Sequence, residues 1–195
     1  MEVRIIKATE NPVDVIAFAA GICYGKRDTE PRRVRACFKA EHLSVFEHAS
    51  VTFMAEGISR ACLAQLTRHR LASYCVESQR YNRYDLSGEY WYVIPEGAAD
   101  KLTWFRKCMR DAASAYQQAL NMGIKPEDAR YLLPEATKTN AIATMNCREL
   151  FHFLDMRTDG AAQWEIRDMA WRLFAKLGDH SKQWGDLMQM WDGAL

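Results

Sequence analysis

Four segments in the second half of the chain constrain its fold most. From about Asp100 to Met122, the apolar residues Leu102, Phe105, Cys108, Met109, Ala112, Ala115, Tyr116 and Ala119 recur at spacings of mostly three and four, the period of one helical face. Gly123 is a natural stop. The same pattern predicts a helix over Asn146 to Arg157, with Leu150, Phe153 and Leu154 on one side. It predicts another over roughly 161–177, bearing Trp164, Ile166, Met169, Leu173 and Phe174, and a terminal one bearing Trp184, Leu187, Met188 and Trp191. Gly160 and Gly178 separate them, and a short helix opens at Pro126 and ends at Pro134. Such amphipathic stripes must be buried against one another or against a sheet.

The first half offers the strands. Glu2 to Lys7 reads as a short one, and Asn11-Pro12 as a helix start. The helix through Val13, Ile16, Phe18 and Ala20 is apolar, is expected to be buried and ends near Gly21. A charged loop follows, then a helix from about Arg32 to Glu41 with Val34 and Phe38 inward. Ala49 to Glu56 alternates as a strand should, and Gly57 breaks it. Ser59 can cap a helix through Ala61, Leu63, Ala64 and Leu66 that delivers Gln65, Arg68 and His69 at its end. Tyr90 to Ile94 predicts a further strand. Residues 137–144, polar and then mildly apolar, are given no element. The fold class expected is helix-rich α+β, one domain over residues 1–195, with a small, mostly antiparallel sheet.

Chemistry concentrates in residues 68–81, which hold three arginines, a histidine, two serines, two tyrosines and one acid. Guanidinium forks and hydroxyls from one segment suit a planar, anionic ligand such as a nucleotide phosphate. A solvated basic loop is the plain alternative, because cations at a helix C-terminus are favoured anyway, and composition leaves both open. The whole chain has 26 basic and 25 acidic residues, net +1. That counts against a dedicated nucleic-acid binder, although Arg68, Arg70, Arg80 and Arg83 with Tyr74, Tyr81 and Tyr84 would make an RNA-stacking surface.

Six cysteines at wide spacings, with no C-x-x-C, read as free thiols in a reducing cytosol. There is no secretory segment and no apolar run near ~18 residues, so a cytoplasmic protein without a membrane role is expected. His42, His48, His69, His152 and His180 form no H-x-x-x-H or H-E-x-x-H pair, and no metal site is expected. A Rossmann or Walker glycine loop is lacking. Ser78 has no G-x-S-x-G context, which favours hydrogen bonding to phosphate over nucleophilic attack. Arg157 is either a helix-end cation paired with Asp155 or Asp159, or a cation brought to residues 68–81. Asn146, Arg148 and His152 carry the same ambiguity, and a lone His48 is as readily structural as functional.

Arg68-His69-Arg70, seven residues, then Ser78 forms RHR-x7-S, continued by Gln79-Arg80-Tyr81. Leu43 to His48, Leu133-Pro134, Met145 to Leu150, Phe153 to Arg157 and Ala162 to Ile166 follow in order. Together, over about residues 40 to 175, this set resembles the flavin-dependent thymidylate synthases. The resemblance implies a homotetramer with active sites between subunits. It implies FAD reduced by NADPH, and transfer of the methylene group of methylenetetrahydrofolate to dUMP. By the same resemblance, Gln65, Leu66, Thr67, Arg68, Val76, Glu77, Ser78, Gln79, Arg80, Asn140 and Arg157 would hold dUMP. Arg157 would be catalytic, favouring negative charge on the activated uracil. His48, Ser50, Arg68, His69, Arg70, Val76, Asn146, Arg148 and His152 would hold FAD. Val76 stands where many members have Glu, Asn140 where many have Arg and His152 where Asn is common. A flavin- or nucleotide-binding relative without methyl transfer is therefore the nearest alternative.

Overall fold

The computed structural model describes residues 1–81, 84, 86–88 and 90–193. It contains strands β1 (Glu2–Ala8), β2 (Ser50–Ser59), β3 (Ala72–Val76) and β4 (Lys138–Asn146). The helices are α1 (Pro12–Ile22), α2 (Arg32–Lys39), α3 (Arg60–Leu66), α4 (Leu102–Asn121), α5 (Pro126–Ala129), α6 (Cys147–Thr158), α7 (Trp164–Gly178) and α8 (Lys182–Asp192). The sheet order is β1-β2-β4-β3 and every pairing is antiparallel. This is the helix-rich α+β class expected.

Period-two alternation explains why only one sheet face is covered by helices. Val51, Phe53 and Ala55 of β2 and Ala141, Ala143 and Met145 of β4 are buried on that face. The alanines let helices approach closely, and Ile16, Ile166, Met169, Leu173 and Trp184 complete the core. The indoles of the terminal helix are satisfied: Trp184 Nε1 donates to Thr9 O at 3.1 Å and Trp191 Nε1 to Asp155 Oδ1 at 2.6 Å. All six cysteines are free. Among the described residues no helix is long and apolar enough to cross a membrane.

Five local expectations are corrected. Tyr90 to Ile94 is no strand; it makes a single bridge, Tyr92 to Thr137. Trp91 and Tyr92 are drawn instead into a small cluster with Met109 of α4, while Tyr90 stays 89% exposed. Residues 138–144, given no element, and Asn146, given to the next helix, belong to one strand, Lys138–Asn146, with two partners. Three of its four inner residues, Thr139, Ala141 and Ala143, are small or polar, with only Met145 large, which mutes the apolar alternation that marks strands. The basic stretch itself contains β3. Phe18 is 43% exposed rather than buried. Asn11 occupies the cap position of α1 but makes no side-chain cap bond; Gln183 Oε1 accepts from the N–H groups of Val13 and Asp14 instead.

Candidate active site

The site begins with how α3 is anchored. Ser59 Oγ accepts from Cys62 N at 3.0 Å, the N-cap bond expected from sequence. The same hydroxyl donates to Glu165 Oε2 of α7, whose Oε1 accepts from Ser59 N at 2.7 Å. Just upstream, Gly57 does not break β2 as expected: the strand runs on to Ser59, and Gly57 sits within it at φ +68° where β2 slips register against β4, a left-handed conformation that favours glycine. The helix therefore starts at a defined point and ends at Leu66, with Gln65 in its last turn.

The turn from α3 into β3 tucks His69 inward. Its side chain is almost fully buried. Tyr74 Oη lies 2.8 Å from both Leu66 O and His69 O, and its hydroxyl proton is shared between them. Burial pushes the Tyr74 phenol up to about 12, so it remains a donor. His69 Nδ1 lies 3.1 Å from Glu149 Oε1, and Arg157 Nε donates to His69 Nε2 at 2.9 Å. Arg157 Nη1 also donates to Gln65 Oε1 at 3.1 Å and Nη2 to Gln65 O at 3.3 Å.

These contacts dictate protonation. A guanidinium only donates, so His69 Nε2 must accept, and the neutral imidazole carries its proton on Nδ1 toward Glu149. Burial, reinforced by the charges of Arg157 and His152, pushes His69 down to about 4. Burial raises Glu149 above the usual carboxylate range. It lowers Arg157 from its usual value, with Arg68 adding repulsion. The open alternative for Arg157 is thereby decided: Asp155 is engaged by Trp191 and Asp159 by Ala161 N. Of five guanidinium N–H donors, three are used within the chain and two are left for a ligand.

Ligand atoms of His69, Glu149 and His152 lie within 4.8 Å of one another, a spacing a metal could use. However, both His69 nitrogens are engaged and a guanidinium donates into the cluster. A cation would have to break those bonds beside a fixed positive charge, so the arrangement fits a hydrogen-bond relay.

A second group gathers where β2 begins and β4 ends. Ser50 pairs with Asn146 across the sheet, and Cys147 N donates to Ala49 O at 2.8 Å. Asn146 Oδ1 caps α6 by accepting from Glu149 N at 2.9 Å. Arg148 Nη1 pairs with Glu47 Oε1 at 2.6 Å, next to His48. Arg148 and His152, one turn apart, face a cleft of about 810 Å³ whose apolar wall includes Phe38, Leu71, Phe151 and Trp191. A cleft with an aromatic wall and cationic and imidazole edges fits a large planar ring with anionic substituents.

The third group lies past β3. Ser78 Oγ accepts from Arg80 N at 3.2 Å, and among the described residues no hydrogen bond joins it to a carboxylate or an imidazole. Arg80 is held by Glu127, with Nε and Nη2 at 3.2 and 2.9 Å from the same oxygen. Asn140 Oδ1 accepts from Gly57 N at 2.9 Å, and its Nδ2 donates to Glu77 Oε2 at 3.0 Å. Arg60 Nη2 donates to Glu77 O and Tyr84 Oη. Val76 shares the helix-covered face with Tyr74 and packs against the core. Among the described residues no hydrogen bond or ion pair joins Glu77, Ser78, Gln79, Arg80 or Asn140 to Gln65, Arg68, His69 or Arg157. Thr67 Oγ1 donates back to Leu63 O, and the carbonyl of buried Leu66 is already taken by Tyr74 Oη and His69 N. Arg83, counted in the RNA reading, lies outside the described residues.

On sequence, Glu149, Glu47 and Glu127 have no role, and Tyr74 figures only as a stacking ring, not as the donor to Leu66 O and His69 O. The one available signal was Asn146-x-x-Glu149, a helix-start pattern that says nothing of a partner 80 residues away.

Residues 4–180 match the family model described as thymidylate synthase complementing protein. A flavin-dependent thymidylate synthase of Pyrococcus furiosus is 40% identical over 192 residues, covering 91% of this chain and 79% of the relative. One from Thermococcus onnurineus is 37% identical over 200 residues, covering 93% and 80%. The Helicobacter pylori flavin-dependent thymidylate synthase, solved with FAD and dUMP, superposes with a TM-score of 0.78 at 27% identity, covering 96% of this chain and 99% of that one. Sequence kinship over this length, together with the shared fold, leads to one conclusion: the chain belongs to the flavin-dependent thymidylate synthase family.

Proposed function

We propose that this chain catalyses the reductive methylation of dUMP to dTMP, with methylenetetrahydrofolate as carbon donor and NADPH as the source of reducing equivalents. The observation that carries this reading is the Arg157 guanidinium. Neutral His69 and Gln65 hold it, and two N–H donors remain free. A fixed, partly desolvated cation at the edge of a uracil ring favours the negative charge that develops when the ring is activated. Gln65, Leu66, Thr67 and Arg68 flank it, and Ser78, Gln79 and Arg80 supply donors for the phosphate. Ser78 acts as a positioning group.

His48, Ser50, Asn146, Arg148 and His152, with Arg68 and Arg70, would hold FAD along the cleft lined by Leu71 and Phe151. Both nitrogens of His69 point inward, so its share in that site is its backbone and the placing of its neighbours. FAD, once reduced, supplies the hydride that completes the methyl group.

Among the described residues no hydrogen bond or ion pair joins the Gln65–Arg157 group to the Ser78–Arg80 group. This supports an assembly in which a second copy completes each site, and a homotetramer is the form we propose. Co-producing Arg157→Ala and Arg80→Ala chains should then restore turnover that neither has alone; no restoration would show that each site is built within one chain.

A second reading has its own observation. Asn140 commits its carbonyl to Gly57 and one N–H to Glu77, leaving a phosphate a single N–H in place of a guanidinium, which suits a relative that binds flavin and nucleotide without methyl transfer. Release of tritium from C5 of dUMP, dependent on the folate and NADPH, distinguishes the two. Flavin-loaded protein that releases none would overturn the synthase reading.

A further inference from the structure

We propose that Glu149 is a positioning residue for Arg157, acting through His69: its carboxylate selects the imidazole tautomer whose Nε2 lone pair holds the guanidinium. The proposal rests on the reading of Arg157 as the catalytic group.

The geometry leaves the imidazole one self-consistent state. With the proton on Nδ1, His69 donates to Glu149 Oε1 at 3.1 Å and accepts from Arg157 Nε at 2.9 Å. With the proton on Nε2, two N–H groups would face each other at 2.9 Å and a lone pair would face a carboxylate oxygen. Both residues are more than nine-tenths buried, His69 at 4% and Glu149 at 3% exposure, so water cannot relieve either mismatch. The imidazole is also fixed from other sides. Tyr74 binds its backbone carbonyl, and Phe153 packs edge-on at 4.9 Å between ring centroids.

Glu149 is itself oriented. Its N–H is taken by the Asn146 side chain in the first turn of α6, while Arg157 sits two turns further on. One helix thus brackets an imidazole from another part of the chain, gripping it at both nitrogens. A buried carboxylate is costly where shape alone would serve, and an aliphatic side chain would fill the space. What the carboxylate adds is the choice of tautomer, and through it the direction of the guanidinium plane.

The test combines ¹⁵N NMR of histidine-labelled, flavin-loaded protein with steady-state kinetics. Wild type should show His69 with Nδ1 protonated and Nε2 bare; an Nε2-protonated ring in wild type overturns the proposal outright. In Glu149→Gln the amide N–H can donate to Nδ1 and so hold the Nε2-protonated ring. That ring has no lone pair for Arg157 Nε and releases it, so a fraction of Nε2-protonated His69 should appear. The kcat for tritium release should fall at least about tenfold, with KM for dUMP and flavin content little changed, the pattern of a group acting only in the transition state. Glu149→Asp, which keeps a carboxylate, should recover part of both signals. An unchanged tautomer with wild-type kcat in Glu149→Gln, or a loss confined to KM or flavin content, refutes the positioning role. If Arg157→Ala turns over at the wild-type rate, the functional reading of Arg157 fails instead, and the tautomer result still reports on the relay.

Discussion

His69 Nε2 accepts a hydrogen bond from Arg157 Nε across 2.9 Å, so the histidine at the centre of the RHR motif is neutral and serves an arginine. Its titration therefore couples to folding. The folded value, about 4, lies below the ordinary 6.5, so the unfolded chain binds the extra proton first. Stability from this group is complete above about pH 6.5 and is lost as pH falls toward 4, on the order of 3 kcal/mol in all. Glu149, raised by burial, opposes the trend, because its folded form takes up a proton more readily. Urea melts between pH 4 and 7 should show a steeper acid loss for wild type than for His69→Gln. Parallel curves would contradict the neutral assignment.

Arg157→Ala removes the free N–H pair and leaves His69 Nε2 without its donor. Turnover should fall on the order of 10²–10³-fold, the usual cost of losing a fixed charge-stabilising donor. Folding should persist with a loss of about 1–3 kcal/mol for the orphaned buried nitrogen. Tritium release and thermal melting check the two halves separately. Wild-type turnover would remove Arg157 from the chemistry.

Ser59→Ala tests the anchor of α3. The change deletes an N-cap, worth about 1 kcal/mol, and strips one partner from the buried Glu165 carboxylate, about 1–3 kcal/mol more. The urea midpoint should drop with the m-value unchanged. Because α3 positions Gln65, dUMP affinity should weaken as well. A stability loss below half a kcal/mol would show that the helix start is held elsewhere.

Arg80 and Glu127 form an exposed pair, with side chains 53% and 36% accessible, which contributes little to stability. A phosphate must compete with that carboxylate for the guanidinium. Glu127→Ala should therefore tighten dUMP binding several-fold by calorimetry while the melting temperature barely moves. Unchanged or weaker binding would mean that Arg80 does not meet the phosphate.

The sequence carried much of this locally. The cap at Ser59, the helices over residues 102–121, 147–158, 164–178 and 182–192, and the strand after Ala49 all follow from apolar period and capping chemistry, signals that reside in neighbours along the chain. The ordered motifs carried the family. β4 was hidden because all but the last residue of its inner face, Thr139, Ala141 and Ala143 before Met145, are small or polar and mute the apolar alternation. Tyr90 to Ile94 looked like a strand because β-branched and aromatic residues also suit a satellite core, and only α4 showed which one they join.

The protonation state of the site was beyond local reading altogether. His69 and Arg157 are 88 residues apart and His69 and Glu149 are 80. By itself the sequence determined that a basic, hydroxyl-rich turn follows a capped helix, and which family's motifs it carries. Only the tertiary structure decided that this stretch divides, with His69 turned inward to hold Arg157 and Ser78 to Arg80 turned outward. The physical reason is burial. Desolvation, a carboxylate that accepts at one nitrogen and a guanidinium that can only donate at the other set the charge and tautomer of the imidazole, and all depend on what packs around it.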